Sequence, residues 1–200
     1  MLKISDMTLD GGRLCLDFIN TVHDRFEEPQ RDYLKNSNDL MDWSKKTGIL
    51  DDTLYLLLMK RAVSDHAGTK KFFDTTIDLR KLLYSIFLEI SHNRKVKNKD
   101  LSEFSAVVSE TLSKVRIGQK QLIFSSEWKD MTDNLDRITW PIIKDAYDLM
   151  LLNKSGRIKE CPKCGWLFFD SSKNGKRKWC SMETCGSRAK ATEWYHRQKK

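Results

Sequence analysis

The chain has 200 residues, of which 40% are hydrophobic and 32% are charged, and its formal net charge is +8 at pH 7. This composition excludes a disordered chain and suffices for one medium domain, or for one domain with a small module. No segment approaches 18 uninterrupted apolar residues, and no basic stretch followed by an apolar one opens the chain, so we expect a soluble cytoplasmic protein.

The first 50 residues contain two segments with helical spacing. After Gly11-Gly12, the apolar residues of "RLCLDFINTV" recur at helical intervals, although a strand from Leu14 to Phe18 is an alternative. In "NSNDLMDWSKKTGIL", Ser37 or Asn38 can cap a helix that Gly48 ends. A further helix is predicted to follow Asp51-Asp52.

The clearest periodicity predicts an amphipathic helix through residues 79–90, in which Leu and Ile recur every three or four positions. Another helix is expected to begin at Asp100 or Ser102, and "KQLIFSS" reads as a short strand. A last long helix should cover about residues 130–153, with Pro141 kinking or restarting it. Residues 1–153 are thus predicted to form one mostly helical domain, with a boundary at Ser155-Gly156.

The charge is distributed unevenly along the chain. Residues 154–200 carry 13 Lys and Arg against 4 Asp and Glu, whereas residues 1–153 carry 23 basic and 24 acidic side chains. A basic segment of this density is typical of proteins that bind DNA, RNA or an anionic surface. The alternative is a solubilising tail, but a tail does not need the four cysteines and the aromatic residues of this segment.

Four of the five cysteines lie in this basic segment, at positions 161, 164, 180 and 185. In a reducing compartment, thiolates bind metal rather than form disulfides. A Cys-x2-Cys turn that ends in Gly165 supplies two of the four soft ligands that tetrahedral zinc prefers. We therefore predict one structural Zn²⁺ held by Cys161, Cys164, Cys180 and Cys185. The fifth, Cys15, lies in an apolar stretch and is interpreted as a buried, inert thiol.

Two alternatives for the cysteines are weaker. A redox Cys-x-x-Cys should open a helix within a larger α/β domain, and catalytic zinc keeps an open coordination position that four thiolates would close. The sequence "WLFFDSS" and the sequence "KRKW" read as two strands joined by a turn at Asn174-Gly175, with a helix after the second cysteine pair. The predicted fold class is α+β: a mostly α-helical N-terminal domain with a small C-terminal treble-clef-like zinc module.

Two stretches carry a resemblance to a known family. Residues 157–198, "RIKECPKCGWLFFDSSKNGKRKWCSMETCGSRAKATEWYHRQ", resemble the CGNR zinc finger. The segments "GGRLCLDFINTV" and "YLKNSNDLMDWSKKTGIL" are similar to the ABATE domain, which precedes that finger in a bacterial family of stress-induced transcription regulators. The resemblance implies an ABATE-like domain over residues 1–153 that senses a signal or mediates association, and a CGNR-type finger over residues 157–200.

The sequence departs from the family signature at one position of the finger. Cys-Gly-Asn-Arg stands here as Cys185-Gly186-Ser187-Arg188, and the first cysteine pair is also closely spaced. If the family's Asn contacts nucleic acid, Ser187 shortens that reach; if it caps a turn, Ser substitutes well. The metal assignment is unaffected by either departure.

The last predicted helix, about Ser187 to Gln198, interleaves basic and aromatic side chains on its exposed faces. We expect duplex DNA to be the partner, and RNA or a protein to be the alternatives. A homodimer is also compatible with a protein that binds duplex DNA. The predicted nucleic-acid contacts are Lys176, Arg177, Lys178, Arg188, Lys190 and Arg197.

A polar cluster near the N-terminus has two interpretations. Arg13, Asp17, Asn20 and Thr21 could line a small-molecule pocket, or they could serve the structure, with Asn20 and Thr21 bonded to a neighbouring backbone and Asp17 capping or paired with Arg13. The sequence has no Gly-x-Ser-x-Gly, phosphate-loop or His-Glu-x-x-His motif, and its four histidines are scattered. We therefore expect no enzymatic activity and no catalytic residue.

Overall fold

The computed structural model describes residues 2–129, 133–152 and 156–198. Seven α-helices within these ranges are α1 (Leu14–Ile19), α2 (Ser37–Lys46), α3 (Asp52–Ser64), α4 (His66–Ser91), α5 (Asn98–Leu112), α6 (Thr139–Leu151) and α7 (Ser187–Gln198). Two antiparallel hairpins complete the fold: β1 (Val115–Lys120) with β2 (Ile123–Trp128), and β3 (Ile158–Glu160) with β4 (Leu167–Phe169). The predicted fold class is confirmed. None of the helices in the described ranges is long and apolar enough to cross a membrane.

The helix starts follow from local side-chain caps. The Asn36 side chain accepts hydrogen bonds from the second and third residues of α2, and the Asp51 carboxylate accepts from Leu54 N–H at the start of α3. Gly48, with φ of +76°, lies just beyond the end of α2, as expected for a left-handed helix stop. The helix at Leu14 is confirmed, and the alternative strand there is wrong.

The apolar stripe of α4 forms the centre of the core. Leu83, Ile86 and Phe87 are fully buried, and α4 extends well beyond the predicted stripe to 26 residues. It contacts α1, α2, α3 and α5 as well as both strands of the β3–β4 hairpin. The sequence pattern thus identified the helix but not its length, because its first three turns are only partly buried.

Three predicted boundaries were wrong. Helix α5 begins at Asn98, before the expected caps, and "KQLIFSS" is not one strand, because Gln121 takes a φ of +55° and turns the chain between β1 and β2. The long last helix is a short 3₁₀ turn, Leu135–Ile138, followed by α6, with Pro141 in its first turn. Residues 130 and 153, its predicted ends, and Ser155 of the predicted boundary lie outside the described residues.

The hairpin of the C-terminal module also differs from the prediction. The sequence "LFF" pairs with "IKE" before the first cysteines, and "KRKW" is not a strand. The physical reason is that the backbone of residues 175–177 bonds to side chains: the Lys159 ammonium donates to the Gly175 and Arg177 carbonyls, and Arg177 N–H donates to Asp170. These bonds replace the ladder that a second strand would need.

One continuous core spans the helices and the C-terminal module. Trp166, Leu167 and Phe168 of the module are buried in the same apolar cluster as α1, α2 and α4. The division into residues 1–153 and 157–200 stays a prediction about folding units, and this shared core shows that the two segments pack closely together.

Candidate zinc centre and nucleic-acid interface

Four cysteine side chains converge at one end of the β3–β4 hairpin. Cys161 and Cys164 lie in the turn that joins β3 to β4, Cys180 follows the long loop after β4, and Cys185 lies in the π-helical turn Met182–Gly186 before α7. All four are at least 93% buried, and their sulfur atoms all lie within 4.8 Å of one another. The chain thus brings four soft donors from three separate segments to one point.

The sulfur spacing fits a tetrahedral zinc ion. The Sγ atom of Cys180 lies 3.7 Å from Sγ of Cys164 and 3.6 Å from Sγ of Cys185. Four sulfurs at the usual Zn–S distance of about 2.3 Å are about 3.8 Å apart at the corners of a tetrahedron. A disulfide needs a separation near 2.0 Å, and all the cysteines are free. The four thiols therefore form a site for one structural zinc.

Without metal, the four thiols cannot all ionise. Hydrogen bonds from Cys164 and Cys180 to Cys161 hold the pKa of the Cys161 thiol far below its usual range. The same hydrogen bonds raise the pKa of the Cys164 and Cys180 thiols, and burial raises that of Cys185. Because four adjacent thiolates would repel one another in a buried site, Zn²⁺ supplies the positive charge that lets all four lose their protons.

The first cysteine turn packs against the segment that follows α1. Gly165 has a φ of +69°, as the turn requires, and a Cβ there would come within 2.9 Å of Arg25 Cβ. Trp166 Nε1 donates to the Val22 carbonyl at 2.7 Å, and Arg25 N–H donates to the Cys164 carbonyl at 3.0 Å. Trp166 is therefore a packing residue, and the zinc turn is held by the N-terminal region.

Asn20 makes a second polar link between the two regions, through both polar atoms of its side chain. Its side chain is fully buried, Nδ2 donates to the Leu167 carbonyl at 2.8 Å, and Oδ1 accepts from Leu167 N–H at 3.0 Å. This pair of bonds satisfies the backbone N–H and C=O of Leu167, the first residue of β4. The Asn20 side chain thus pairs with β4 in the way that the backbone of a neighbouring strand would.

The other members of the polar cluster are also engaged within the protein. The Arg13 guanidinium pairs with Asp145 of α6 at 2.6 Å rather than with Asp17. Burial raises the pKa of Asp17 to about 7, and its carboxyl accepts from Gly11 N–H at 2.8 Å. Thr21 is fully buried, and its hydroxyl donates to the Phe18 carbonyl at 2.8 Å.

These contacts favour the structural interpretation of Arg13, Asp17, Asn20 and Thr21. The large cavities found among the described residues are lined by other side chains. A ligand pocket at this cluster stays a prediction, one that would require these buried side chains to exchange their present partners.

A buried carboxylate that the sequence did not reveal organises the loop between β4 and Cys180. Asp170 is fully buried and accepts from Lys159 Nζ at 2.7 Å, Ser172 N–H at 3.0 Å and Arg177 N–H at 2.9 Å. Burial alone would raise the pKa of this carboxyl, but the Lys159 ammonium and the hydrogen bonds of Ser172 and Arg177 hold it well below its usual range. The Asp-Ser-Ser sequence, typical of a turn in which Asp bonds two residues ahead, was the available signal.

The helix α7 lies on the surface directly after the last zinc ligand. None of its described side chains is buried, and its contacts are with the π-helical turn that precedes it. Arg188 and Lys190 are exposed, Trp194 is 65% exposed, and Tyr195 is 51% exposed. Arg197 is exposed and pairs with Glu193 at 2.5 Å. The helix therefore presents cations and aromatic rings to solvent. Its N-terminal end follows directly after the turn that holds the zinc ligand Cys185.

The three basic residues predicted in the hairpin have different environments. Lys176 and Lys178 are exposed, and the Lys178 ammonium lies 5.0 Å from the centre of the Trp179 ring. Arg177 is half-buried: its guanidinium donates to the Trp179 carbonyl at 2.9 Å and covers the Phe168 ring. A phosphate contact by Arg177 stays a prediction. To make that contact, the guanidinium would have to give up these internal interactions.

Comparison with known proteins agrees with this geometry. Residues 157–198 match the model of a family described as "CGNR zinc finger", and residues 12–151 match that of ABATE, described as "Putative stress-induced transcription regulator". A search of curated proteins found no match. The resemblance identified from the sequence is confirmed over both segments, and neither description is that of an enzyme.

Proposed function

The chain belongs to the ABATE family and carries a CGNR zinc finger, and from this premise we propose that it regulates transcription by binding duplex DNA through the finger. In this proposal the helical region senses a signal or mediates association. The reducing cytoplasm, which keeps the zinc thiols free of disulfides, is where we place the activity.

The observation that carries the proposal is the exposure of α7. An isolated helix of 12 residues is marginal in water, and this one packs no buried side chain against the core. Its cations suit phosphate contacts, and its exposed aromatic rings suit contacts with sugars and bases. The zinc at Cys185 supports this use, because it anchors the first turn of the helix at a fixed position before any partner arrives.

A second basic strip supports the same interface. Lys173, Lys176 and Lys178 are exposed in the loop that leads to Cys180. This loop and α7 are both attached to the zinc site, so phosphate contacts from the two would be made by one rigid unit. In this arrangement Asp170 and Arg177 support the loop, and the lysines contact the nucleic acid.

An RNA or a protein partner is the alternative that the same surface allows. A basic, aromatic helix contacts structured RNA or an acidic protein surface through the same forces, and a zinc module of this kind does not by itself select among them. The base-paired duplex is preferred because α7 is a single exposed helix of the size that enters a major groove.

The proposal is tested by fluorescence anisotropy of a labelled mixed-sequence duplex with the zinc-loaded protein at about 50 and 200 mM salt. Four to five phosphate contacts predict an affinity that falls about 10²-fold or more over this range. Removing zinc with a chelator should abolish binding. Unlabelled duplex, RNA hairpin and single-stranded DNA are then compared as competitors, and stronger displacement by RNA would favour the RNA alternative.

Matched charge variants separate a specific interface from general charge attraction. Arg188→Ala with Lys190→Ala should weaken binding at least tenfold. The slope of log affinity against log salt should also fall by the amount expected for about two phosphate contacts. Lys60→Ala with Lys99→Ala removes the same charge from exposed sites on α3 and α5 and should change affinity less than twofold. Equal losses in the two variants, or no duplex binding by the zinc-loaded protein at low salt, would refute the proposal.

The β1–β2 hairpin supports an additional role in self-association. Four apolar side chains at its tip and along its strands are 67–90% exposed: Ile117, Leu122, Ile123 and Phe124. A two-stranded hairpin is marginally stable by itself, and exposed apolar patches of this kind are typical of protein interfaces. We propose a second copy of the chain as the occupant, because a dimer would let two zinc fingers bind two half-sites.

Light scattering coupled to gel filtration tests this association. Phe124→Lys should shift a dimer to a monomer, because the new charge would be buried at the interface. Ser102→Lys, at an exposed position on α5, is the control and should leave the mass unchanged. A wild-type protein that is monomeric at all accessible concentrations, alone and with duplex, would remove the dimer proposal and leave the DNA proposal intact.

A further inference from the structure

An apolar recess with a mixed rim lies between α4, α5 and α6, away from the zinc finger. Its volume is about 440 Å³, which is within the range of small-molecule pockets. Its apolar lining consists of Phe72, Leu79, Leu82, Val107, Trp140 and Ile143. A site of this size and lining can bury most of the surface of an apolar molecule with about 20 non-hydrogen atoms.

The charged groups around this cavity are mostly acidic. Four carboxylates line it: Asp78, Glu103, Glu110 and Asp136. Among the lining residues that the structure describes, the one lysine is Lys71, and Asp78 also pairs with Lys81 at 2.8 Å. Glu103 and Glu110 are exposed and seven residues apart on α5, with Val107 between them on the same face. The rim therefore favours a positively charged molecule over a negatively charged one.

A hydroxyl group in the cavity lacks a partner within the protein. Thr111 is 96% buried and lines the cavity, and within residues 2–129, 133–152 and 156–198 its hydroxyl makes no hydrogen bond. By contrast, the neighbouring Thr76 and Thr139 hydroxyls donate to backbone carbonyls. The Thr111 oxygen is not among the fully buried atoms without a partner, so it is accessible from the cavity and can bond to a molecule bound there or to water.

From these three observations we propose that the α4–α5–α6 cavity binds an amphipathic organic cation, with its apolar body on Trp140 and its charge at the acidic rim. The proposal deepens the sensing role proposed above and depends on that role only for its biological meaning. Binding to the cavity is measured without nucleic acid, so its failure and a failure of DNA binding are distinguishable.

The cavity is connected to the finger through packed elements. Helix α4 lines the cavity near its N-terminal half and contacts β3 near its C-terminal end, where His92 Nε2 lies 2.6 Å from a carboxylate oxygen of Glu160. Helix α6 also lines the cavity and packs against α1, whose following residue is Asn20. A cation that moves α4 or α6 would therefore act on the segments that hold the zinc hairpin.

Two ions of equal size and opposite charge provide the test. Tetraphenylphosphonium and tetraphenylborate are titrated into the zinc-loaded full chain by isothermal calorimetry. The proposal expects saturable binding of the cation at one site and at least tenfold weaker binding of the anion. Equal binding of both ions would indicate an apolar surface that does not distinguish the sign of the charge, and it would overturn the proposal. The absence of cation binding would overturn it as well.

Three variants locate the site. Glu103→Gln with Glu110→Gln should weaken cation binding about fivefold to tenfold, because two rim charges are removed at a partly exposed site. Glu183→Gln, an exposed acidic residue beside the finger, is the matched control and should change affinity less than twofold. Val107→Trp should abolish binding by filling the cavity; far-UV circular dichroism confirms that it folds. Unchanged cation affinity in the glutamine pair would refute the assignment to this cavity, whatever the fate of Val107→Trp.

Discussion

Replacing Asn20 by Leu tests how much one buried side chain contributes to holding the finger against the helical region. Leu has the same branched arrangement of side-chain heavy atoms as Asn, with larger methyl groups at the tips, so the space is filled while the hydrogen bonds to Leu167 at 2.8 and 3.0 Å are lost. Each buried backbone group that is left without a partner costs about 1–3 kcal/mol. The free energy of unfolding should therefore fall by about 2–6 kcal/mol.

Urea unfolding of the zinc-loaded protein, followed by circular dichroism and tryptophan fluorescence, measures this loss. A second measurement is the rate at which zinc passes to a colorimetric chelator, because an opening that becomes about 2 kcal/mol easier should release the metal about 30-fold faster. Asn38→Leu, at an exposed position in α2, is the control and should change stability by less than about 0.5 kcal/mol. An Asn20→Leu protein within about 0.5 kcal/mol of wild type, with unchanged zinc transfer, would refute the reasoning.

Three further predictions concern buried ionisable groups. Arg80→Met should destabilise the protein by about 1–3 kcal/mol in thermal or urea unfolding, because the buried guanidinium pairs with Asp32, whose side chain is 32% exposed and would be partly solvated after the pair is lost. Since the pKa of Asp17 is raised to about 7 in the folded protein, its stabilising contribution is complete below about pH 4 and is lost as the pH rises through 7. Asp17→Asn, which keeps an acceptor for Gly11, should gain up to about 4 kcal/mol over wild type at pH 8 and little at pH 4; equal gains at both would contradict the assignment. Asp170→Asn should cost about 2–4 kcal/mol and accelerate zinc transfer, because Lys159 loses its buried counter-charge; wild-type zinc transfer would show that the loop is held by other contacts.

The sequence alone determined the features that depend on local chemistry. The four zinc ligands were identified because cysteine spacing, a glycine in the turn and a reducing compartment restrict thiols to few roles. The stripe of α4 was identified because its period matches a helix with one buried face. The helical start at Asp51 was identified because its side-chain cap involves residues only three positions apart.

The tertiary structure decided everything that joins residues distant in the chain. Asn20 and Leu167 are 147 positions apart, so no local pattern could show that one satisfies the backbone of the other. The strand partner of "LFF" was predicted wrongly for a similar reason: a turn signal at Asn174-Gly175 is local, whereas the bonds from Lys159 and Asp170 that occupy the backbone of residues 175–177 come from outside it. The α4–α5–α6 cavity also required the fold, because the burial of Thr111 and the placement of the acidic rim depend on how three helices pack. Composition and spacing thus established the zinc site and the basic helix, and long-range packing determined how the rest of the protein holds them.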